Sequence, residues 1–151
     1  MKIQVIEVEV SLRARDHLSL RLEVNDSKQI LSSRLKGQGC LAFLKEMVGL
    51  RDYLRAHPNS LLQDIPIPSG TSHSAMLIRE SILKVQGLWK LPYQEEEICH
   101  CRAVPTQKVD EAIVSGCHTV ERIKRVTSAS TSCGTCRPDI ESLIRYRLQG
   151  S

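Results

Sequence analysis

Apolar and polar residues alternate at the start of the chain. Ile6, Val8 and Val10 are separated by glutamates, and every second residue from 18 to 24 is leucine or valine. The turn-forming letters NDSK at 25–28 then lead into a third segment, QILSSRL. A period of two residues with one apolar face predicts three antiparallel strands that pack on one side only.

Two longer segments with helical spacing follow the predicted strands. The first extends from Cys40 to His57, and its apolar stripe is predicted at Leu41, Leu44, Met47 and Val48. The second extends from Ser72 to Trp89, and its stripe is predicted at Ala75, Ile78, Ile82 and Val85. Both helices are expected to cover the apolar face of the sheet, which gives this part of the chain an α+β fold.

The pattern changes at Leu91, where the polar connection LPYQEEE precedes three shorter helical segments. These segments begin at Thr106, Thr119 and Arg137. Their inward positions are predicted at Val109, Ala112, Ile113, Val120, Ile123, Ile140, Leu143 and Ile144. Because no strand period is visible, we expect a small all-helical domain here. The predicted boundaries are a first domain at 1–91, a linker at 92–97 and a second domain at 98–151.

The composition limits the size of the core that each domain can form. The chain has 151 residues, of which 41% are hydrophobic but only 3% are aromatic. Two small domains with few aromatic side chains bury little apolar area each. Such domains often need additional stabilisation, for example from a metal centre.

Charge and hydropathy argue against two classes of partner. The net charge of +4 is small, whereas a nucleic-acid-binding surface usually carries a dense basic stripe with aromatic residues that stack on bases. No span of about 20 apolar residues and no apolar signal segment is visible, so we expect a cytoplasmic protein without membrane contact. Thiols stay reduced in that compartment, where clustered cysteines indicate metal binding or catalysis rather than disulfides.

Four of the six cysteines form a spaced pattern in the second domain. Cys99 and Cys101 form a C-x-C pair, and Cys133 and Cys136 form a C-x-x-C pair beyond the predicted helical hairpin. Four thiolates from two loops can close a tetrahedral zinc site or bind a [2Fe-2S] cluster. A cluster suits the small, glycine-containing loop TSCGTC and the helix that begins beside it, because backbone N–H groups there favour negative charge.

Other roles for these residues remain open at this point. The four thiolates would supply only folding energy in a zinc-stapled interaction module. Cys133 and Cys136 would be a redox pair in a thiol–disulfide enzyme, although the βαβ surroundings of such a pair are not predicted here. His100 is expected to point away from a site to which both of its neighbours turn, and Cys117 is expected to be a spare or buried thiol.

The letters ICHCRAV, SGCHTVERI and TSCGTC make the stretch from 97 to 148 similar to a known family. It resembles the [2Fe-2S] domain of bacterioferritin-associated ferredoxin, abbreviated BFD, and the central segment of NifU. The resemblance implies a small helical fold with one [2Fe-2S] cluster on Cys99, Cys101, Cys133 and Cys136. We expect Cys99 and Cys101 to share one iron.

The first ninety residues resemble the IscU-like scaffold domain that precedes this segment in NifU. The letters LKGQGCLAFL place Cys40 on a scaffold cysteine, SHSAMLIRESI places His73 on its histidine, and ARDHLSLRLEV places Asp16 on its aspartate. Ser74 and Ala14 stand where the scaffold has two further cysteines. The resemblance therefore implies a degenerate scaffold-like domain. It leaves open whether the domain is purely structural or still holds zinc on Asp16, Cys40 and His73.

These patterns together predict a small iron–sulfur protein of the NifU and BFD type. Its expected work is electron transfer, or the assembly and delivery of iron–sulfur clusters, with a protein partner of the redox or assembly machinery. No nucleophile with an adjacent base is visible, so we do not expect an enzyme. The sequence leaves the oligomeric state open between a monomer and a homodimer.

Overall fold

The computed structural model describes residues 2–13 and 15–149 of the chain. The contacts divide the chain into two compact units. The first unit consists of Met1–Ser69 and Ser74–Trp89, and the second consists of Gly70–His73 and Lys90–Ser151. Among the described residues, no helix combines the length and the apolar character needed to cross a bilayer.

The first unit contains a three-stranded antiparallel sheet, as predicted. Its strands are β1 (Gln4–Leu12), β2 (Asp16–Val24) and β3 (Ile30–Gln38), and they follow one another in the order β1-β2-β3. The alternating apolar side chains of the central strand point to one face and are fully buried; they are Leu18, Leu20, Leu22 and Val24. The period of two residues in the sequence therefore corresponds to a sheet with one covered face.

Two α-helices follow the sheet, with a single 3₁₀ turn between them. They are α1 (Leu41–Ala56), the turn Leu62–Asp64 and α2 (His73–Val85). The second helix ends four residues before the predicted position, and Gly87 takes a left-handed φ of +73° in the turn that follows. All four residues of its predicted stripe are buried; they are Ala75, Ile78, Ile82 and Val85.

The predicted apolar stripe of α1 was wrong at Leu41 and Val48, whereas Leu44 and Met47 are partly buried. Leu41 is 69% exposed and Val48 is also exposed, whereas the buried residues of this helix are Phe43, Leu50 and Leu54. Apolar residues occupy much of the circumference of α1, so their spacing alone permits two different inward faces. The large ring of Phe43 buries the most apolar area, and that burial favours the observed rotation of the helix.

The second unit contains the three predicted helices and, in addition, two short strands. The helices are α3 (Thr106–Val114), α4 (Val120–Thr127) and α5 (Arg137–Gln149). The strands, β4 (Glu97–Cys99) and β5 (Val104–Pro105), pair antiparallel ahead of α3, so the prediction of an all-helical domain was wrong. Strands of three and two residues are too short to show a period of two in the sequence.

The predicted inward positions of all three helices form the core of the second unit, together with Ile98, Cys99, Val104, Ala129 and Cys136. Thr119 caps α4 as expected, because its side chain accepts a hydrogen bond from the backbone N–H of Arg122 at 3.2 Å. Cys99 and Cys136, two of the four predicted ligand cysteines, are therefore part of the core.

Residues 92–97, the predicted linker, lie within the second unit. Tyr93 packs against the core, and its hydroxyl donates to the backbone carbonyl of Glu97 at 2.7 Å. Just before this segment, the backbone N–H of Lys90 donates to the hydroxyl of Tyr146 at 2.9 Å. The segment that leads to the first cysteine is thus held against α5.

One buried ion pair joins α3 to α5. The guanidinium of Arg147 is 5% exposed, and its Nε and a terminal nitrogen donate to the two carboxylate oxygens of Asp110 at 2.7 and 2.6 Å. A two-point contact of this kind fixes both the distance and the rotation of the two helices. Removal of either partner would leave a poorly hydrated charge.

We predict that Arg147→Ala lowers the free energy of unfolding by about 2 to 3 kcal/mol, because Asp110 loses its partner. Urea unfolding of the full chain, followed by circular dichroism, measures this change. Arg145→Ala is the matched control, since Arg145 lies exposed on the same helix and should cost little. Equal losses in the two variants would contradict a special role for the buried pair.

Candidate metal centre

The four predicted ligand cysteines come from two loops that meet beside α5. Cys99 is the last residue of β4, and Cys101 lies in the turn that joins β4 to β5. Cys133 lies in the loop after α4, and Cys136 directly precedes α5. Cys99 and Cys136 are buried, whereas Cys101 and Cys133 are exposed.

Each close contact between the thiols joins one cysteine from each loop. The Sγ atoms of Cys101 and Cys133 lie 3.0 Å apart, and we call these two residues the outer pair. Cys99 and Cys136 are hydrogen-bonded to each other, and we call them the inner pair. These contacts run across the two loops, and the sharing of one iron by Cys99 and Cys101 stays a prediction.

Within the outer pair, one thiol is acidified and the other is not. The hydroxyl of Thr135, 2.9 Å from Cys133 Sγ, and the thiol of Cys101 both stabilise the Cys133 thiolate and lower its pKa to about 7. The same contact with Cys133 raises the pKa of Cys101. The contact between the two sulfurs therefore favours ionisation of Cys133 over ionisation of Cys101.

The inner pair shows the same division in a buried setting. Burial alone would raise the pKa of Cys99, but the backbone N–H groups of Ser130 and Arg102 donate to its sulfur and leave the pKa lowered. Burial raises the pKa of Cys136, and Ser130 opposes that effect only in part. In each pair the surroundings thus favour ionisation of one thiol, Cys133 or Cys99, and disfavour ionisation of the other.

The surrounding backbone fits a group that carries negative charge. Cys136 adjoins the first turn of α5, where the helix dipole is positive. Gly134, between the two cysteines of the C-x-x-C pair, has a left-handed φ of +72°, which lets this short loop turn back on itself. The donor set of four thiols, two of them buried, and the N–H groups aimed at sulfur suit a [2Fe-2S] cluster.

Two arginines beside the cysteines have different roles in the structure. The Nε of Arg102 donates to the hydroxyl of Thr131 at 3.1 Å, and this hydroxyl donates to the carbonyl of Ser128 at 2.7 Å. This chain of hydrogen bonds ties the first cysteine loop to the second. The side chain of Arg137 instead pairs with Glu141 and Glu121, which offset its charge.

His100 and Cys117 lie outside the group of four thiols, as expected. The imidazole of His100 is 75% exposed, and its Nδ1 lies 2.8 Å from Oε1 of Glu97. Cys117 is partly buried and packs against the apolar core of the second unit. The choice of four ligand cysteines out of six stays a prediction.

The three predicted residues of the N-terminal site also lie close together. Asp16 Oδ1 accepts a hydrogen bond from the backbone N–H of Cys40 at 2.9 Å. Each of Asp16, Cys40 and His73 offers one ligand atom, and these atoms lie within 4.8 Å of one another. Ser74 is buried, and Ala14, the other position where the scaffold family has a cysteine, lies outside the described residues.

Gly39 makes the contact between Asp16 and Cys40 possible. A Cβ atom at this position would collide with the carboxylate of Asp16 and the ring of Phe43. Only glycine lets the backbone approach the carboxylate closely enough for the N–H of Cys40 to donate to it.

Two hydroxyl residues near the sulfurs were not predicted as part of the site. Thr135 contacts Cys133, and Ser130 contributes its backbone N–H and its side chain to the inner pair. The available signal was the density of hydroxyl residues in the letters SASTSCGT, which supply hydrogen-bond donors around the second cysteine loop.

Comparison with known proteins assigns this part of the chain to a family model. Residues 97–145 match the BFD-like [2Fe-2S] binding domain. This region of the chain is a [2Fe-2S]-binding domain. The match includes all four cysteines of the inner and outer pairs, and it covers about a third of the chain.

Several curated proteins share part of this sequence. The assimilatory nitrate reductase electron transfer subunit of Bacillus subtilis (strain 168) is 40% identical over 52 residues, which are 34% of this chain and 7% of that protein. The nitrite reductase (NADH) large subunit of Escherichia coli (strain K12) is 31% identical over 124 residues, which are 82% of this chain and 13% of that protein. The nitrogen fixation protein NifU of Leptolyngbya boryana is 28% identical over 86 residues, with 52% of this chain and 42% of that protein covered.

This chain therefore spans less than half the length of each of these relatives. The similarity to the nitrite reductase subunit is longer than the whole stretch that follows Glu96, so it includes residues of the first unit. The relatives support an iron–sulfur protein of the electron-transfer or cluster-handling kind.

We predict that Cys133 of the metal-free chain is alkylated with a pH midpoint near 7. Its thiolate fraction should rise about tenfold between pH 6 and pH 8, because a thiol with a pKa of about 7 is protonated below that pH and ionised above it. Iodoacetamide labelling mapped by mass spectrometry measures the rate for this residue alone.

Thr135→Val should move that midpoint to higher pH, since the thiolate loses the hydroxyl that stabilises it. Ser132→Ala is the control, because Ser132 is exposed and adjoins Cys133 in the same loop. A midpoint that Thr135→Val leaves in place would show that the hydroxyl does not acidify Cys133.

Proposed function

We propose that this chain is an electron carrier that holds one [2Fe-2S] cluster on Cys99, Cys101, Cys133 and Cys136. The observation that carries the proposal is the convergence of four thiols, as an inner and an outer pair, inside the region that matches the [2Fe-2S] family. When bound, the cluster supplies reversible one-electron chemistry at low energetic cost.

The chain's own residues prepare the site for this group. All four thiols would have to be deprotonated to hold a cluster, and the lowered pKa values of Cys99 and Cys133 favour this for one thiol of each pair. Burial of the inner pair keeps water from two of the sulfurs. Exposure of the outer pair leaves the other two accessible to a protein partner.

Electron transfer is favoured over cluster assembly by two observations. Four thiols, two of them in an apolar core, form a closed site that retains its group, whereas assembly needs a site that releases it. The relatives include a subunit named for electron transfer and a subunit of an NADH-dependent reductase. Delivery of clusters is the second candidate, supported by the similarity to NifU.

In this proposal the chain acts through a protein partner and catalyses no reaction of its own. The partner is a redox protein or a component of iron–sulfur assembly, and nucleic acid plays no part. We place the chain in the cytoplasm, where its six cysteines remain reduced and free for metal.

We also propose that the first unit is a degenerate IscU-like domain that serves as a docking surface. Its order of three meandering strands followed by helices supports this reading, and so does the hydrogen bond from the backbone N–H of Cys40 to Asp16. A carboxylate, a thiolate and an imidazole within reach of one another suit Zn²⁺ with one open position.

Protein purified without oxygen should be red-brown, with about two irons and two sulfides per chain. Cys136→Ser should lose the colour and destabilise the second unit, because it removes a ligand that is also a core residue. Visible absorption with iron and sulfide assays measures both effects.

Cys117→Ser is the matched control and should keep its iron, since Cys117 packs outside the group of four thiols. A colourless wild-type chain with one zinc would instead support the zinc-stapled interaction module. Equal bleaching in both variants would overturn the ligand assignment.

Zinc titration of the cluster-loaded chain tests the N-terminal trio. We expect about one zinc per chain, lost in Cys40→Ser and His73→Ala without loss of iron. Cys117→Ser should bind zinc like the wild type. Absence of zinc binding by the wild-type chain would favour a purely structural first unit.

A further inference from the structure

The strand β1 forms an open edge of the sheet in the first unit. The strand order is β1-β2-β3, so among the described residues β1 has a neighbouring strand on one side only. The backbone N–H and C=O groups along such an edge can pair with an extended segment of another chain, which is a recurring mode of peptide recognition.

The hydrogen bonds of the turn after β2 show which residues of β1 face this edge. The backbone N–H of Asn25 donates to the carbonyl of Gln29 at 3.1 Å, so Asn25 faces β3. Because successive residues of a strand face opposite neighbours, Val24 faces β1 and bonds to its register partner Gln4. The even-numbered residues of β1 therefore pair with β2, and the odd-numbered residues present their backbone groups to the open edge.

One side chain covers the far end of this edge. The Nζ of Lys84 donates to the backbone carbonyl of Glu9 at 3.0 Å, which agrees with the outward direction of the odd-numbered residues. Its charge is offset by Glu80, whose carboxylate oxygen lies 2.7 Å away. Among the described residues, no side chain bonds to the backbone groups of Val5 and Glu7, so this part of the edge is open.

An apolar groove borders the open part of the edge on the covered face of the sheet. Its volume is about 760 Å³, a size typical of ligand sites, and its lining includes Ile6, Val85 and Leu88. Leu88 is 64% exposed, and Ile67, which also lines the groove, is 44% exposed. A strand added beside β1 would direct every second side chain into this groove, where apolar side chains would cover both residues.

The opposite face of the same edge is acidic. Glu7 and Glu9 are exposed on the solvent side of β1. Glu7 lies opposite Arg21 in the register, whereas Glu9 lies opposite Ser19 and has no cation directly across from it on β2. A second copy of β1 would add two more glutamates to this face, while lysine or arginine on an added strand would complement the charge.

We propose that the open edge of β1 binds an extended segment of a partner protein in which apolar residues alternate with lysine or arginine. The proposal rests on the docking role proposed above for the first unit and names its occupant. The backbone of the segment bonds to Val5 and Glu7, its apolar side chains enter the groove, and its basic side chains face Glu7 and Glu9.

A labelled peptide of seven residues, with lysine and valine in alternation, is the probe for this surface. Fluorescence anisotropy measures its binding to the full, cluster-loaded chain. The peptide should bind about tenfold more tightly than a counterpart with glutamate in place of lysine, and this preference should shrink as salt is added. Equal binding of the two peptides would overturn the proposal.

Val5→Pro tests the backbone contact. It removes an N–H that faces the open edge and keeps the N–H groups that bond to β2, so the sheet should fold while the peptide binds about tenfold more weakly. Val5→Thr is the matched control, because it keeps both the N–H and the branched shape of the side chain. A folded Val5→Pro variant that binds the peptide like Val5→Thr would overturn the proposal.

The double variant Glu7→Gln/Glu9→Gln tests the charge and keeps the proposal falsifiable if Val5→Pro does not fold. It should lose most of the preference for the lysine peptide over the glutamate peptide. Glu46→Gln is the control, since Glu46 is exposed on α1 and should leave the preference unchanged. A preference that survives in the double variant would show that Glu7 and Glu9 do not select the segment.

Two results with the wild-type chain would also overturn the proposal. One is a cluster-loaded chain that does not bind the lysine peptide, which would leave the electron-carrier function intact. The other is a dimer in sedimentation that Val5→Pro dissociates, because a second copy would then occupy the edge. A colourless chain that binds the peptide would instead overturn the electron-carrier function alone.

Discussion

Four thiols that lie near one another repel once they ionise, and the residues around them in the second unit offset that repulsion. Backbone N–H groups of Ser130 and Arg102 point at Cys99, and the start of α5 lies beside Cys136. The loop after α4 holds Ser130 and the turn between β4 and β5 holds Arg102, and both segments adjoin residues of the core. The inner pair belongs both to the apolar core and to the site. The packing of the three short helices therefore also fixes the positions of the polar groups around the sulfurs.

The parts of this fold that repeat a period could be predicted from the sequence. Alternation along β2 indicated the sheet, and the inward positions that helical spacing predicted in α3, α4 and α5 are all buried, although Val114 and Tyr146 were not predicted. The face of α1 could not be, because apolar residues surround much of that helix and only the packing of Phe43 selects one rotation. The strands β4 and β5 were missed because three and two residues are too few to show an alternation of apolar and polar side chains.

In the candidate site, likewise, the sequence pattern identified the residues but not the contacts between them. Spacing and family resemblance identified the four cysteines, since ligand residues must be particular amino acids. How the sulfurs pair depends on the turn between β4 and β5 and on the left-handed loop before Cys133, which no spacing encodes. Ser130 was missed for a related reason: serine is common in loops, and only its φ and its burial distinguish it.

The site has one face that is exposed, formed by the outer pair, and one face that is buried, formed by the inner pair. A partner that approaches the exposed sulfurs of Cys101 and Cys133 meets them without an intervening layer of protein, so an electron has a short path on that side. On the opposite side, the apolar core covers Cys99 and Cys136, so an electron would have to cross a longer distance through protein to reach a partner there. Partners that approach the exposed sulfurs would therefore compete for the same surface, and one docked protein would exclude the others from it.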